Sequence, residues 1–405
     1  MNLLSHTISN RNVFEKQLLT YFKNKQHVVF LNSNANEKKN LFAVTDSDDV
    51  NNKENQFGFI SYDYKNHIEE LVSNHFDGIE FPEKHFFTPE LLFKIGAHTV
   101  EVLHQKEPAA IEKIIAEIQA TNQEEQTLEK VNVVPKISKE EYIETVKTLK
   151  KHIQLGDIYE VNYCQEYFAE NVRVSPIAIY NQLNEKSPTP FSCFVKYGDK
   201  YLMSASPERY IKKEGSKIIS QPIKGTAKRG ATLAEDECIK EQLIQDPKER
   251  SENVMIVDLV RNDISKIAKK DSVVVDELCG IYTFPQVHQM ISTVSGEVEN
   301  DVDFDALLKA TFPMGSMTGA PKIRAMKLIE KYEKTKRGLY SGAVGYIDEN
   351  GDFDFNVVIR SILYNQENNY LSFIVGGAIT ALSNPEKEYE ECLLKAKAIL
   401  EVLTD

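Results

Sequence analysis

The sequence lacks a long apolar run, paired cysteines and an excess of positive charge, and each absence excludes a class of proteins. Nowhere do roughly eighteen apolar residues follow one another, which argues against a transmembrane helix. The five cysteines form no CxxC pair and are odd in number, so we expect reduced thiols in a cytosolic protein. Lys and Arg total 48 against 61 Asp and Glu, and the net charge of −13 would repel phosphate backbones and anionic membranes.

The composition that is present indicates a globular protein with a substantial core. The chain has 405 residues, of which 41% are hydrophobic and 27% charged, enough for one large domain or two ordinary ones. The amino-terminal segment carries no basic leader followed by an apolar stretch. We therefore expect a soluble, cytoplasmic protein that binds neither nucleic acid nor membranes, and whose small anionic substrate would need a locally basic pocket.

The main change in composition is a polar, acidic stretch between Ala116 and Ser138. It predicts a boundary there, with an amino-terminal α+β region at residues 1–130 and a second region at residues 131–405. We expect the two regions to form one continuous globule.

The hydrophobic pattern predicts an α+β fold built on large antiparallel sheets with helices outside. The clearest helices are predicted at residues 246–268 and 385–403. Between them, strand-like segments at 338–348, 353–364 and 369–379 follow one another directly. This order is a meander, whereas a parallel sheet alternates strands with helices.

Two predicted helices each carry an acidic pair at i,i+3 spacing on one face. The pairs are Glu249 with Glu252 and Glu388 with Glu391, and Lys395 follows one turn after the second pair. Four carboxylates on two faces could converge on a hard cation such as Mg²⁺. The alternative is a pair of solvated helix surfaces, which spacing alone favours because most glutamates are exposed.

Four further positions are candidates for binding or proton transfer. Arg360, in an apolar segment read as a strand, could pair with a substrate carboxylate or lie at an exposed edge. The segment GSMTGAPK, residues 315–322, could hold a carboxylate at the start of a helix or be an ordinary cap. Glu208 could be a general acid or a surface charge, and His288 a functional or a satisfied core histidine.

The segment SQPIKGTAKRG, residues 220–230, places Lys224 between Ile223 and Gly225 where a short strand runs into a turn. Burying an ammonium group costs several kcal/mol unless it is paired or neutralised. A lysine in such a tight position therefore suggests a chemical role.

Nine segments, taken in chain order from Gly156 to about Leu400, resemble the chorismate-utilising enzymes, a family that includes anthranilate, aminodeoxychorismate, isochorismate and salicylate synthases. The first 130 residues resemble the family only loosely. The nine segments are GDIYEVNY, SASPERY, QPIKGT, ERSENVMIVDLVRND, HQMISTVSGEV, FPMGSMTGAPKIRAM, RGLYSGAVGYI, IRSILY and EYEECLLKAKAIL. The resemblance implies antiparallel sheets packed as a sandwich.

The resemblance also implies a set of binding residues. Glu252 and Glu391 would coordinate Mg²⁺, with Glu249 and Glu388 beside them, and the metal would bind a chorismate carboxylate. The residues that would contact the substrate are Gly225, Thr226, Ser316, Tyr340, Arg360, Gly376 and Lys395.

Three residues would perform the chemistry. Glu208 matches the general acid that protonates the departing C4 hydroxyl, and His288 matches a histidine near that hydroxyl. Lys224 matches the lysine of aminodeoxychorismate synthases, where anthranilate synthases have alanine. Its neutral amine, with its pKa lowered by burial and a nearby cation, would attack C2 before ammonia displaces it by attack at C4. In the alternative, Lys224 only pairs with a substrate carboxylate.

The expected product is 4-amino-4-deoxychorismate, used for 4-aminobenzoate and folate synthesis. No cysteine stands in a glycine-rich elbow, so ammonia would come from a separate glutamine amidotransferase subunit. Glu160 departs from the family, whose amidotransferring members usually have glutamine there. Two other functions remain open: anthranilate synthase component I, and a metabolite-binding or nucleotide-binding protein without catalysis.

Overall fold

The computed structural model describes residues 2–35, 37–51, 53–122, 130–284, 287–300 and 302–404, and two large antiparallel sheets dominate it. The strands are β1 (Asn2–Thr7), β2 (His27–Asn32), β3 (Asn40–Thr45), β4 (Gln56–Ile60), β5 (Lys84–Phe87), β6 (Leu91–Ile95), β7 (Thr99–His104), β8 (Val134–Pro135), β9 (Glu160–Ala169), β10 (Phe191–Tyr197), β11 (Lys200–Ser206), β12 (Arg209–Glu214), β13 (Lys217–Gln221), β14 (Ile223–Lys228), β15 (Val274–Thr283), β16 (Val287–Glu297), β17 (Gly319–Ala320), β18 (Ala343–Ile347), β19 (Phe353–Asn356), β20 (Ser361–Asn365) and β21 (Tyr370–Ile379).

The helices of the described ranges flank these sheets. They are α1 (Arg11–Tyr21), α2 (Lys65–Ile68), α3 (Pro108–Ala120), α4 (Lys139–Gln154), α5 (Pro176–Lys186), α6 (Leu233–Gln245), α7 (Pro247–Ser265), α8 (Phe304–Thr311), α9 (Lys322–Tyr332) and α10 (Pro385–Thr404). None of them combines the length and the apolar composition that a membrane span requires.

The strand order confirms the predicted α+β class. The twelve-stranded sheet runs β1-β7-β6-β3-β2-β10-β11-β20-β21-β9-β17, with β8 also paired to β9. The nine-stranded sheet runs β14-β16-β13-β12-β19-β18-β4-β5, with β15 also paired to β16. All of these strand pairs are antiparallel.

The central strands are apolar on both faces because each face meets a different core. In β2, Val28 and Phe30 belong to the core beneath the helices, while Val29 belongs to the core shared with the nine-stranded sheet. Successive strand side chains point to opposite faces, so a strand buried on both sides shows a continuous apolar run.

The twelve-stranded sheet combines strands from both sides of the predicted boundary. For example, β2 pairs with β10, with Phe30 opposite Phe194. Residues 123–129, within the polar stretch on which the boundary prediction rests, lie outside the described residues.

The segment 353–364 differs from the single strand that its apolar pattern predicts. It forms β19 in the nine-stranded sheet and β20 in the twelve-stranded sheet. The chain crosses between the sheets through residues 357–360, where Arg360 has a φ of 52°. The prediction of a strand at Arg360 is therefore wrong, because an apolar pattern does not distinguish one buried strand from two that change sheet.

Candidate active site

A cavity of about 750 Å³ lies where β14 and β16 meet α7, α10 and the end of β21. This volume is typical of a site for a small ligand. The cavity is lined by most of the residues that the sequence predicts for the site, namely Glu208, Lys224, Gly225, Thr226, Glu249, Glu252, Ser316, Tyr340, Arg360, Gly376, Glu391 and Lys395.

A bulge in β14 brings Lys224 to the cavity wall. The register between β14 and β16 shifts between Ile223 and Thr226, where the sequence predicts a turn. Gly225 has a φ of 93°, in the left-handed region that favours glycine. A Cβ atom at Gly225 would lie 3.2 Å from Glu249 Oε2, so glycine also allows α7 to approach closely.

Lys224 is paired with Glu160, the residue that departs from the family pattern. Its Nζ atom donates a hydrogen bond to Glu160 Oε1 at 3.0 Å. Their side chains are 10% and 1% exposed, so the pair is almost fully removed from water. Glu160 Oε2 is buried and receives no hydrogen bond from any described residue.

The pKa of Lys224 is raised, although the resemblance to the family implies a lowered one. Burial by itself lowers the pKa, but the carboxylates of Glu160, Glu252 and Glu208 favour the charged amine and outweigh burial. Sequence reasoning could not weigh these opposing effects, because the three carboxylates come from different elements.

Three of the four helical carboxylates contact two lysines. Lys248 Nζ, on α7, lies 3.3 Å from Glu388 Oε1 and 3.7 Å from Glu252 Oε1. On α10, Lys395 Nζ lies 2.8 Å from Glu391 Oε1. Because Glu252 and Glu388 are buried, the alternative of two solvated helix surfaces does not describe this cluster.

The carboxylate cluster has the donor set of a hard-cation site. Burial raises the pKa of Glu252 to about 7, and it also raises the pKa of Glu249. Lys395 is the main cause of a lowered pKa at Glu391. Glu252 Oε1 is buried and has no hydrogen-bond partner among the described residues. Mg²⁺ prefers carboxylate oxygens, so these residues fit the predicted metal.

Glu208 and Arg360 both line the cavity and interact electrostatically. Burial raises the pKa of Glu208 to about 7, while the Ser316 hydroxyl and the Lys224 ammonium oppose the rise. Burial lowers the pKa of Arg360, and the Glu208 carboxylate opposes that change. The Arg360 side chain lines the cavity, where its guanidinium donors suit an anionic ligand.

Two predicted residues lie outside the cavity lining. His288 is fully buried, with Nδ1 3.0 Å from Thr283 Oγ1 and Nε2 2.8 Å from Asp236 Oδ1. Neighbouring strand residues point to opposite faces, so Gln289 faces the cavity in its place. The assignment of His288 to the substrate hydroxyl therefore fails on position. Glu388 also lies outside the lining and reaches the cluster through Lys248.

Sequence reasoning missed three contributors to the site. These are the pairing of Glu160 with Lys224, the bridging position of Lys248, and Gln289 on the cavity side of β16. The i,i+4 spacing of Lys248 and Glu252 was a usable signal for the second. Gln289 has a buried Oε1 atom without a hydrogen-bond partner among the described residues.

Comparison with known proteins gives the same family that the sequence segments resemble. The chain is 39% identical to an aminodeoxychorismate synthase of Arabidopsis thaliana over 68% of its own length, but spans only 31% of that protein. It is 35% identical to an anthranilate synthase component 1 of Acetivibrio thermocellus, covering 86% of this chain and 74% of that one. It is 32% identical to an aminodeoxychorismate synthase component 1 of Bacillus subtilis, covering 85% and 76%.

A solved structure supports the fold. The anthranilate synthase component I of Streptococcus pneumoniae superposes with a TM-score of 0.75 at 29% identity, covering 85% of this chain and 80% of that one. The family described as chorismate binding enzyme matches residues 6–401, almost the whole sequence. The chain therefore belongs to the chorismate binding enzyme family.

Proposed function

We propose that this enzyme aminates chorismate at C4 with ammonia and produces 4-amino-4-deoxychorismate. The observation that carries the proposal is the position of Lys224, whose side chain lines the same cavity as Glu208. A lysine and a carboxyl group with a pKa of about 7 in one cavity provide a nucleophile and a general acid.

The basic side chains of the cavity would hold the substrate. Chorismate carries two carboxylates, and Arg360 and Lys395 offer positive charge on different elements. Lys395 Nζ already donates to the carbonyl oxygen of Gly376 at 2.9 Å, which orients the ammonium toward the end of β21. We propose that Tyr340, Ser316, Thr226 and Gly225 complete the wall around the ring.

Glu252 and Glu391 would hold Mg²⁺, with Glu249 and Glu388 beside them. When bound, the ion would supply positive charge for a ring carboxylate and would offset the carboxylates that raise the pKa of Lys224. Lys248 would share the neutralisation of Glu252 and Glu388, which it contacts directly.

Lys224 must lose a proton before it can act as a nucleophile. Glu160 Oε1 lies 3.0 Å from its Nζ atom, within reach for direct transfer. We propose that Glu160 accepts this proton. This role would explain why a carboxylate stands where the family usually has glutamine.

The reaction would then proceed by two displacements. The neutral amine of Lys224 forms a bond to C2, the ring double bonds shift, and the C4–O bond breaks. Glu208 donates its proton to the departing hydroxyl, which leaves as water. Ammonia next forms a bond to C4 while the C2–N bond to Lys224 breaks, and Glu208 accepts the proton that the new amine loses. The sum is chorismate plus ammonia giving 4-amino-4-deoxychorismate plus water.

We propose that a separate glutamine amidotransferase subunit supplies the ammonia. The support is the similarity to the Bacillus subtilis protein, which is named as a component 1. With an ammonium salt in the assay, the chain should work without such a subunit.

The decisive experiment compares Lys224→Ala with Lys228→Ala. Both lysines lie on β14 and line the cavity, but Lys228 is exposed. Each protein is incubated with chorismate, Mg²⁺ and an ammonium salt, and products are identified by liquid chromatography and mass spectrometry. We expect Lys224→Ala to lose at least about 10³-fold of the C4 amination rate, and Lys228→Ala to keep most of it. Unchanged formation of aminodeoxychorismate in Lys224→Ala would remove the covalent mechanism.

The second candidate is chorismate conversion to anthranilate and pyruvate. It is supported by the 35% identity to an anthranilate synthase component 1. Anthranilate as the main product of the unmodified chain would establish this alternative and would show that Lys224 does not set the position of amination.

A further inference from the structure

A second polar cluster lies outside the cavity lining and contains residues from both sheets. His27 begins β2 in the twelve-stranded sheet, and His85 lies on β5, the edge strand of the nine-stranded sheet. Asp48 comes from the connection that follows β3. One ligand atom from each residue lies within 4.8 Å of the other two.

The distances bring both imidazoles to one carboxylate oxygen. Asp48 Oδ1 lies 3.0 Å from His27 Nε2 and 3.8 Å from His85 Nε2. The two imidazole rings have centroids 4.9 Å apart. Within the described residues, His85 Nε2 is buried without a hydrogen-bond partner, and so is His27 Nδ1. Such unsatisfied ring nitrogens are uncommon in a protein interior.

We propose that His27, His85 and Asp48 form a binding site for a divalent transition-metal ion, with Zn²⁺ as the reference ion. Imidazole nitrogen with one carboxylate oxygen is a donor set that suits zinc, cobalt and nickel, whereas Mg²⁺ prefers oxygen ligands alone. The site is thus chemically distinct from the carboxylate cluster of the cavity. A bound ion would link β2 of the twelve-stranded sheet to β5 of the nine-stranded sheet.

The surroundings favour neutral imidazoles, the form that binds metals. Burial lowers the pKa of His27, assisted by Lys196 and opposed by Asp48 and Asp46. Burial together with His27 lowers the pKa of His85 to about 4.

The carboxylate of Asp48 is exposed but lies in a segment fixed on both sides. On one side, Asp46 accepts hydrogen bonds from Lys25 Nζ at 2.5 Å and from the backbone N–H of Gln26 at 3.0 Å. On the other side, the carbonyl oxygen of Asp49 accepts from the backbone N–H of Thr88 at 2.9 Å. Asp48 is thus presented next to β5 by its neighbours, as an oriented ligand requires.

The test uses Co²⁺ and Zn²⁺ as probes on the full chain, with millimolar Mg²⁺ present throughout to occupy oxygen-only sites. The variants are His85→Gln and Asp48→Asn. The matched control is His67→Gln, because His67 also contacts a carboxylate, that of Glu83, but has no second histidine in the contact. Binding is followed by visible Co²⁺ absorption, by its displacement with Zn²⁺, and by the melting temperature.

We expect the chain and His67→Gln to bind one Co²⁺ that Zn²⁺ displaces, and to melt at a higher temperature with Zn²⁺. In His85→Gln and Asp48→Asn, Co²⁺ affinity should fall at least about tenfold and the Zn²⁺-dependent melting shift should disappear. The proposal is overturned if both variants bind as the unmodified chain does. It is also overturned if Glu252→Gln abolishes the signal, which would place the ion in the cavity.

Discussion

Two buried cations, Arg337 and Lys224, each pair with a glutamate, but Arg337 donates many more hydrogen bonds than Lys224 does. Arg337 donates to both carboxylate oxygens of Glu333, to the carbonyl oxygens of Met317 and Asn162, and to the Ser341 hydroxyl. Lys224 donates to a single side-chain oxygen, that of Glu160. Beside it, Glu160 Oε2 and Glu252 Oε1 have no hydrogen-bond partner among the described residues.

This difference separates a structural cluster from a functional one. A complete network recovers the free energy lost when its charges leave water, so it stabilises one conformation. An incomplete network retains strong electrostatic fields and open donors or acceptors, which a ligand can satisfy. The Lys224 cluster lines the cavity, and the Arg337 cluster adjoins it, because Asn162 lines the cavity and its carbonyl oxygen accepts a hydrogen bond from Arg337.

Arg337→Met should cause the largest loss of stability. It leaves Glu333 buried without its charge partner, so we expect the free energy of unfolding to fall by about 3–5 kcal/mol. The measurement is urea denaturation followed by circular dichroism. Arg261→Met is the control, because the Arg261 side chain is 51% exposed and, within the described ranges, forms a salt bridge only with Asp258. If the two variants unfold at the same urea concentration, the complete network does not carry the stability assigned to it.

Glu166 tests whether a buried carboxylate with incomplete hydrogen bonding, outside the cavity, lowers the stability of the protein. Burial raises its pKa to about 7, although the Tyr370 hydroxyl donates to Oε1 at 3.1 Å. Its pKa is higher in the folded state than in the unfolded state, so its contribution to stability is complete below about pH 4.5. That contribution is lost as pH rises to about 7.

Glu166→Gln should therefore stabilise the protein at pH 8 by at most about 3 kcal/mol and have a much smaller effect at pH 5. Melting temperatures at the two pH values measure the difference. The exposed Glu170→Gln serves as the control. Equal effects of Glu166→Gln at both pH values would contradict the raised pKa.

Glu252→Gln should weaken the response to Mg²⁺ while leaving the fold intact. Loss of one charged oxygen ligand is expected to raise the Mg²⁺ concentration for half-maximal amination about tenfold, equivalent to about 1.4 kcal/mol. Asp258→Asn, at an exposed position on the same helix, should leave the Mg²⁺ titration unchanged. An unchanged titration for Glu252→Gln would remove this residue from the ligand set.

Gly225→Ala should have the smallest effect on stability, about 1 kcal/mol, because alanine is strained at a φ of 93°. Gly215→Ala is a matched control, since Gly215 has a φ of 58° and a Cβ there meets nothing within 4 Å. Both variants should lose similar stability in urea. Only Gly225→Ala should also lower kcat, because its Cβ crowds Glu249 and shifts the strand that carries Lys224. A normal kcat would show that the bulge does not position the lysine.

The sequence by itself determined the fold class and twelve of the residues that line the cavity. Strands such as β2 and β21 are recognisable because β-branched and aromatic residues with two buried faces leave a continuous apolar pattern. The segments around Lys224, Glu252 and Glu391 could be placed in one site because their residue types resemble those of a family with a known arrangement. The spacing of the acidic pairs alone favours solvated helix surfaces.

Only the tertiary structure decided which side chains meet. It placed Arg360 at a crossing between sheets, turned His288 toward Asp236, and paired Glu160 with Lys224 across 64 positions of the chain. It also brought His27, Asp48 and His85 together from three separate elements. The physical reason is that propensity and periodicity act over a few residues, whereas a pKa or a ligand set depends on charges that the packing of sheets brings into contact.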